Sequence, residues 1–218
     1  MLNRVAVVVP AHDEALAVGA CVTSVRRAAA GSDVEVIVVA DACSDATAAV
    51  AAGAGATVIE VGDRNVGRAR AAGMAHAVRT GATWLATTDA DSLVPTGWLA
   101  WHLAHAAAGT DVLVGEIDVV DWTPHPPSVR DRFERHYAAN RPHVHGANLG
   151  CATPAYVAVG GFDALAVGED HDLVARARRA GYRVVHDGSS PVVTSARRAA
   201  RAPDGFSVFL ERLRRRRI

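Results

Sequence analysis

An alternation of short apolar runs with helix-patterned segments fills the first half of the chain, and it constrains the fold more than any other feature. The apolar runs are Val5 to Val9, Val34 to Val39, Thr57 to Val61 and Trp84 to Thr88. The unbroken run from Val5 to Val9 is typical of a strand that is buried on both faces of a sheet, and Val34 to Val39 predicts a second buried strand. The other two runs predict a third and a fourth strand. Four strand–helix units in series predict an α/β, Rossmann-like fold with a mostly parallel central sheet flanked by helices.

The segments between these runs carry apolar residues at helical spacing. Helices are predicted over 15–30, from a cap at Ser44 or Asp45 to about 52, over 66–79, and from a cap at Thr96 to about 108. The second half predicts one or two strands in 112–120, a helix at 129–139, a Gly-rich strand or turn at 144–151, a helix at 173–180, a strand at 182–186 and an amphipathic helix at 206–217.

Neither an internal repeat nor a linker interrupts the chain, so we expect a single domain over 1–218. Within it we expect a ligand-binding half at about 1–110 and a half that completes the site at about 111–195. An Arg-rich C-terminal helix is expected at about 196–218.

Composition excludes several classes of protein. Half of the 218 residues are apolar and the formal net charge is zero, which argues against a disordered chain and against nucleic-acid binding. The chain has no lysine, which excludes Schiff-base chemistry and the P-loop lysine. Cys21, Cys43 and Cys151 form no C-x-x-C pair, so we expect a reducing, cytoplasmic setting without disulfides. The apolar run from Val5 to Val9 is too short for a membrane span.

Polar residues follow each of the four predicted strands. They lie at 10–14, 41–45, 63–67 and 89–91, and carboxylates occur in every one of these loops. Ligands of open parallel sheets bind outside the carboxyl ends of the strands, and carboxylates gathered there need a cation. The chain has no G-x-G-x-x-G after the first strand, no P-loop motif and no G-x-S-x-G. With these kinds of site excluded or disfavoured, the sequence predicts an acidic, metal-dependent site that handles a nucleotide.

A family resemblance rests on seven segments taken together. In chain order they are VVVPAHDEA, VVADACSDAT, RNVGRARAAG, TTDADSLVP, HGANLG, GGFD and GEDHDLVARARRAGYRV. They resemble the sequential motifs of family 2 glycosyltransferases with the GT-A fold, over roughly residues 4 to 187. The resemblance implies transfer of a sugar from a nucleotide-diphosphate sugar, a UDP-sugar in particular, to a hydroxyl acceptor.

The resemblance assigns a metal to the pair Asp89 and Asp91, which would hold Mn²⁺ or Mg²⁺ against the diphosphate of the donor. An isolated D-x-D is more often a solvated turn after a strand. His186 is a candidate for a third metal ligand, with Asp187 as its alternative.

The resemblance also implies contacts with the nucleotide sugar. The residues concerned are Pro10, Ala11, Glu14, Asp41, Asn65, Gly67, Arg70, Ala90 and Asn148. Glu14 is equally a first-turn carboxylate that suits a helix dipole. Arg64 or Arg68 could replace Arg70 as the phosphate partner, and for any one of these arginines an ordinary basic helix face is the more common arrangement.

Glu169, Asp170 and Asp172 form the second acidic centre. In inverting members of the resembling family the aspartate of the E-D pair is the general base, which implies Asp170 here, with Asp172 as the second candidate. Glu169 would orient the acceptor. The alternative is a charged first turn of the helix predicted near Leu173.

The C-terminal region leaves two readings open. Arg197, Arg198 and Arg201 could fold back over the diphosphate. An apolar stripe that includes Phe206 and Phe209, with arginines beyond it, fits either packing on the same domain or peripheral contact with a membrane.

Two other functions stay open as alternatives to a glycosyltransferase. They are a nucleotidyltransferase of similar topology and a non-catalytic sugar-nucleotide-binding protein.

Overall fold

A computed structural model describes residues 4–29, 31–198 and 205–215. A seven-stranded sheet runs in the order β3-β2-β1-β4-β7-β5-β8, and β6 pairs with β9 beside it. The strands are β1 (Val5–Ala11), β2 (Val34–Asp41), β3 (Thr57–Val61), β4 (Trp84–Thr87), β5 (Val112–Val114), β6 (Ile117–Asp118), β7 (Leu149–Ala152), β8 (Val184–His186) and β9 (Val192–Val193).

Helices flank both faces of this sheet. They are α1 (Val18–Ala28), α2 (Thr47–Gly53), α3 (Val66–Arg79), α4 (Trp98–Ala107), α5 (Pro127–Ala139), α6 (Thr153–Ala158), α7 (Glu169–Arg179) and α8 (Phe206–Arg215). Strands β1 to β4 are mutually parallel, β5 and β8 are parallel to each other, and β7 pairs antiparallel with both β4 and β5. The prediction of a mostly parallel α/β sheet is confirmed.

Strand β1 lies at the centre of the core because both of its faces are buried. Val5, Val7 and Val9 pack with α1 on one face, while Ala6 and Val8 pack with α3 on the other. The second face brings helix and sheet very close at Gly73, where a Cβ atom would lie 2.4 Å from Val8 Cγ1. This close approach carries α3, and with it Arg70, tightly against the sheet.

Several element boundaries differ from the sequence prediction. Helix α1 begins at Val18 because residues 15–17 form a turn, and α4 begins after Gly97, one residue past the predicted cap. The N-cap residue of α2 is Ala46 rather than Ser44 or Asp45. Asp45, one position earlier, accepts the Thr47 N–H at 2.9 Å, and the Ser44 hydroxyl binds Asp13. Helix α7 begins at Glu169 rather than near Leu173, so the second acidic centre forms its first turn.

Helices α5 and α8 pack together beside the sheet in a separate apolar cluster. Phe133 of α5 and Leu210 and Leu213 of α8 are buried in it. The apolar stripe of α8 thus packs on the chain itself, and membrane contact stays a prediction. None of the helices in the described ranges is long and apolar enough to span a bilayer. Arg201, Arg216 and Arg217, which belong to the predicted basic tail, lie outside those ranges.

His102 of α4 is fully buried among aromatic rings. Trp84 Nε1 donates to His102 Nδ1 at 3.2 Å, and the centroid of the Trp98 ring lies 4.3 Å from the imidazole. Burial lowers the pKa of His102 from 6.5 to about 3 because the charged form is desolvated. Between these two values the unfolded chain binds a proton at this position that the folded chain does not bind.

We expect His102 to make the folded chain less stable as the pH falls from 6.5 towards 3. It adds a slope of about 1.4 kcal/mol per pH unit to the free energy of unfolding. His102→Leu should remove this slope in urea unfolding at pH 6.5, 5.5 and 4.5. The exposed His136 offers a matched control, His136→Leu, which should keep it. Equal slopes in the His102 variant and the wild type would contradict the assignment.

Candidate active site

A cavity of about 590 Å³ lies outside the carboxyl ends of β1, β2 and β4. Most of the predicted site residues line it. They are Pro10, Ala11, Glu14, Asp41, Asn65, Arg70, Asp89, Ala90, Asp91, Glu169 and Asp170. Because parallel strands bring their carboxyl ends to one edge, loops distant in sequence meet here.

Arg70 of α3 joins the two acidic centres. Its side chain is buried; Nη2 lies 2.6 Å from Asp89 Oδ1, and Nη1 pairs with Glu169 Oε1. Burial disfavours the guanidinium charge, but Asp89, Glu169 and Asp170 outweigh that effect and raise the pKa of Arg70. A Cβ atom on Gly146 would lie 2.5 Å from Nη2, so a glycine is needed beside it. Arg70 is therefore a fixed counter-charge between two carboxylates.

Asp89 and Asp91 lie in the loop after β4. The Asp89 side chain is 39% exposed because it faces the cavity, whereas that of Asp91 is 14% exposed. Burial raises the pKa of Asp91 to about 6, although Arg197 opposes the shift. The pKa of Asp89 is also raised by burial, with Arg70 opposing the shift.

Arg197 reaches this loop from the segment after β9. Its Nη1 donates to Glu14 Oε2 at 2.6 Å, and its Nη2 lies 2.5 Å from Glu14 Oε1 and 3.3 Å from Asp91 Oδ2. The sequence indicates Arg197 as one of the arginines that could cover the diphosphate, but it does not predict this contact with Glu14 and Asp91.

Asp41 organises the loop between β3 and α3. Its Oδ1 accepts the Arg64 N–H at 2.7 Å and its Oδ2 accepts the Asn65 N–H at 2.6 Å. The Asn65 side chain in turn caps α3 by accepting the Arg68 N–H at 3.0 Å. Both residues line the cavity while serving these structural roles. Their contacts with a nucleotide stay predictions.

Asp170 lies on the cavity wall in the first turn of α7. Gly146 N–H donates to its Oδ2 at 2.7 Å, and the following backbone N–H, of His171, donates to its Oδ1 at 2.8 Å. Glu169 points inward to Arg70, and burial raises its pKa while Arg70 opposes the shift. The adjacent carboxylates thus differ: Glu169 is held in a buried ion pair, and Asp170 is oriented by backbone donors at the cavity.

Gly67 and Asn148 do not line the cavity, and their contacts with the donor stay predictions. Gly67 donates its N–H to Leu165 O at 3.1 Å, and a Cβ atom there would lie 2.2 Å from Asp163 O. Asn148 is fully buried, where its Oδ1 accepts from Trp98 Nε1 at 2.8 Å and its Nδ2 donates to backbone carbonyls. Both residues pack loops together.

The second candidates for base and metal ligand also lie away from the cavity. Asp172 pairs with Arg176 one turn along α7, at 2.7 Å. His186 contacts Arg178, and burial lowers its pKa. Asp187 accepts from Trp101 Nε1 at 2.8 Å. These side chains already have partners that hold them outside the cavity.

The loops after β1 and β2 contain a second group of metal-ligand types. Ligand atoms of His12, Asp13 and Cys43 lie within 4.8 Å of one another. These groups are already hydrogen-bonded within the loops: His12 Nδ1 to Asp41 O at 2.7 Å, Asp13 to Ser44, and Cys43 to Ala11 O. The contacts shape the loops, and we assign no metal to them.

An aromatic wall on α5 and α8 lines part of the cavity and was not predicted as part of the site. It includes Phe133, His136, Tyr137, Phe206 and Phe209, with His143 and His145 from the loop after α5. Tyr137 stacks on His143 at 3.8 Å, and burial lowers the pKa of His145 to about 4, which keeps that ring neutral. The spacing of Phe133, His136 and Tyr137 along one helix face was the available signal.

The carboxylates fit a hard divalent cation. Among the described residues, six carboxylates and three arginines line the cavity: Glu14, Asp41, Asp89, Asp91, Glu169 and Asp170 against Arg64, Arg70 and Arg197. Arg70 and Arg197 pair with four of these carboxylates. Negative charge is therefore in excess. Oxygen ligands of this kind suit Mg²⁺ and Mn²⁺, and the residues that would hold the ion are Asp89 and Asp91.

Solved structures share the fold at low identity. S. aureus TarS 1–349 in complex with UDP-GlcNAc matches with a TM-score of 0.71 and 15% identity, covering 96% of this chain and 65% of that one. The mannosyltransferase PcManGT from Pyrobaculum calidifontis, in complex with GDP-Man and Mn²⁺, matches at 0.68 and 19%, covering 97% and 60%.

Glucosyl-3-phosphoglycerate synthase from Mycobacterium tuberculosis, in complex with Mn²⁺, UDP and phosphoglyceric acid, matches with a TM-score of 0.63 and 15% identity, covering 89% of this chain and 72% of that one. The chain thus spans less than two thirds of the TarS and PcManGT chains. No curated protein matches the chain.

Family membership rests on the sequence. The family described as Glycosyl transferase family 2 matches residues 6–160, more than half of the chain. This segment holds the loops after β1 to β4, including Asp89 and Asp91. The chain belongs to glycosyltransferase family 2 and has a GT-A-like fold.

Proposed function

We propose that this glycosyltransferase moves a sugar from a nucleotide-diphosphate sugar to a hydroxyl acceptor in a divalent-metal-dependent reaction with inversion. The observation that carries the proposal is the excess of carboxylates around Asp89 and Asp91 in a cavity at the strand ends of a family 2 chain. The complexes of similar structures with UDP, UDP-GlcNAc or GDP-Man, some with Mn²⁺, support this donor class. We favour a UDP-sugar on the family resemblance.

In this proposal, Asp89 and Asp91 hold Mn²⁺ or Mg²⁺, which offsets the negative charge on the departing nucleoside diphosphate. Arg70 orients Asp89, because its Nη2 atom lies 2.6 Å from Asp89 Oδ1. Pro10, Ala11 and Asp41 line the part of the cavity that would receive the nucleoside. A fixed array of charges acts at no reorganisation cost during the reaction.

Asp170 is the proposed general base. It takes the proton of the acceptor hydroxyl as that oxygen forms a bond to the anomeric carbon and the bond from that carbon to the diphosphate oxygen breaks. The Gly146 N–H at 2.7 Å fixes the direction of the carboxylate. The aromatic wall of α5 and α8 lines the same cavity and would hold the acceptor.

The proposal uses the whole chain as one unit. Residues at about 1–110 bind the donor, residues at about 111–195 supply the base and the acceptor side, and the segment from about 196 supplies Arg197 and the helix α8. We further propose that the enzyme works in the cytoplasm, on the basis of its cysteine usage.

A thermal-shift panel of UDP-, GDP- and dTDP-sugars with Mn²⁺ should identify the donor, and the purified chain should then release the nucleoside diphosphate slowly with water as the acceptor. Binding stabilises the folded state by mass action, so the donor that fits raises the melting temperature most. Release of pyrophosphate would instead indicate a nucleotidyltransferase. Donor binding without turnover would indicate a non-catalytic binding protein.

Asp91→Asn should weaken Mn²⁺-dependent UDP binding at least about tenfold, which is about 1.4 kcal/mol. An amide is a poorer ligand than a carboxylate for a hard divalent cation, and the substitution keeps the side-chain volume. Isothermal titration calorimetry with UDP, in about 1 mM Mn²⁺ and in EDTA, measures the UDP affinity with and without the metal. Asp131→Asn, which alters an exposed carboxylate on α5, is the control. Unchanged metal dependence in Asp91→Asn would refute the metal assignment.

Asp170→Asn should leave UDP binding intact and lower turnover by about 10² to 10⁴, the usual contribution of a general base. The amide oxygen can still accept the Gly146 N–H, so the fold is preserved. Asp172→Asn is a matched control, because this neighbour pairs with Arg176 outside the cavity. The rate of nucleoside diphosphate release measures the turnover of both variants. If Asp170→Asn keeps its turnover, the base lies elsewhere or the reaction proceeds with retention.

A further inference from the structure

Arg197 occupies the charged end of the cavity, where the proposed metal and diphosphate would bind. It forms a two-pronged pair with Glu14, at 2.6 and 2.5 Å, and lies 3.3 Å from Asp91. We propose that Arg197 is a donor-binding residue that exchanges partners. It pairs with Glu14 and Asp91 before the donor arrives, which disfavours binding of a free divalent cation, and moves to the diphosphate when metal and nucleotide bind together. This inference rests on the proposed function.

Competition with the metal follows from the position of the charge. A divalent cation bound to Asp91 would lie beside the Arg197 guanidinium, because that group is 3.3 Å from the same carboxylate. Two positive charges this close repel each other strongly in a partly desolvated site. Either the cation or the guanidinium must leave Asp91. A cation that arrives with two phosphate groups brings negative charge to which Arg197 can turn.

An unpartnered donor on Arg197 supports the second half of the proposal. Its Nε atom is buried and has no hydrogen-bond partner among the described residues. An unsatisfied buried donor is costly, so the pairing with Glu14 and Asp91 leaves Arg197 incompletely satisfied. The planar guanidinium fork matches the oxygens of a phosphate group. A diphosphate next to Asp91 would offer acceptors to this end of the side chain.

The backbone before Arg197 is anchored, so the exchange requires side-chain rotation. Thr194 N–H donates to Asp118 O at 2.9 Å, and the Thr194 hydroxyl pairs with Ser92 at 3.0 Å. The Ala196 carbonyl binds His125 Nε2 at 2.7 Å. The Arg197 side chain, by contrast, is 28% exposed and faces the cavity. It can change partners over a few ångströms while this backbone stays in place.

Arg70 shows what a permanent counter-charge looks like in the same site. Its side chain is 4% exposed and pairs with Asp89 and Glu169 at once. These two partners from different elements hold it beside Asp89. The two arginines therefore have different roles in this proposal. Arg70 stays between the acidic centres, and Arg197 exchanges its carboxylate partners for phosphate groups.

The test measures Mn²⁺ binding by electron paramagnetic resonance, without and with UDP, in the full chain. Arg197→Gln should bind Mn²⁺ alone about tenfold more tightly than the wild type, because the competing charge is gone. In saturating Mn²⁺ it should bind UDP about tenfold more weakly, because the phosphate partner is gone. The favourable effect of UDP on Mn²⁺ affinity should shrink accordingly, since coupling between two ligands is reciprocal.

Two further variants sharpen the test. Arg197→Lys keeps the charge and loses the fork, so it should still disfavour Mn²⁺ alone while binding UDP less tightly than the wild type. Arg130→Gln removes an exposed arginine on α5 that pairs with Glu134 outside the cavity and should change neither affinity. Melting curves confirm that each variant is folded.

The outcomes separate this inference from the proposed function. If Arg197→Gln leaves either the Mn²⁺ affinity or the UDP affinity unchanged while the wild type binds both ligands, partner exchange is wrong and the glycosyltransferase proposal stands. If the wild type binds neither Mn²⁺ nor any nucleoside diphosphate, both are wrong. Opposite changes of the two affinities in Arg197→Gln, with Arg130→Gln unchanged, support the exchange.

Discussion

The buried side chain of Arg70 joins the two acidic centres of this protein through its ion pairs. The guanidinium contacts Asp89, after β4, and Glu169, at the start of α7. Removing one partner of a buried charge pair typically costs about 3–5 kcal/mol, because the remaining charge is left desolvated. Here a neutral side chain at position 70 would leave two carboxylates facing each other. The relative position of the D-x-D loop and Asp170 therefore depends on this one side chain.

Much of the fold was predictable because β2, β1 and β4 are interior strands of the sheet. Burial on both faces demands apolar residues at every position, and Val5 to Val9 shows that pattern directly. The second half was harder to predict. Strand β7 runs antiparallel between β4 and β5, and its sequence, Leu149–Ala152, carries no signal for direction. Helix α7 was predicted to begin too late because its first turn is acidic and therefore lacks the apolar periodicity that marks a helix.

Some residues of the site could be predicted from the sequence, whereas their contacts could not. Residues that follow a strand, such as Asp41 and Asp89, were predictable as cavity residues because chain order places them at the sheet edge. Their partners were not, because the contacts close over long distances in sequence: 99 residues from Arg70 to Glu169 and 183 from Glu14 to Arg197. Asn148 also has partners that its motif did not indicate, since its side-chain amide donates to backbone carbonyls in the core.

The zero net charge of the chain gains a physical meaning from these contacts. Arginines are concentrated from Arg197 onward, whereas carboxylates gather in the strand-end loops. Arg197 brings part of that tail charge back to Glu14 and Asp91, so the acidic cavity is partly neutralised by its own chain. If fixed arginines neutralised all of these carboxylates, no negative charge would remain to attract a metal ion. If no arginine paired with them, the carboxylates would repel one another. In the proposed mechanism, one fixed and one exchangeable arginine would keep the site folded without the donor and would leave enough negative charge to attract the cation that accompanies it.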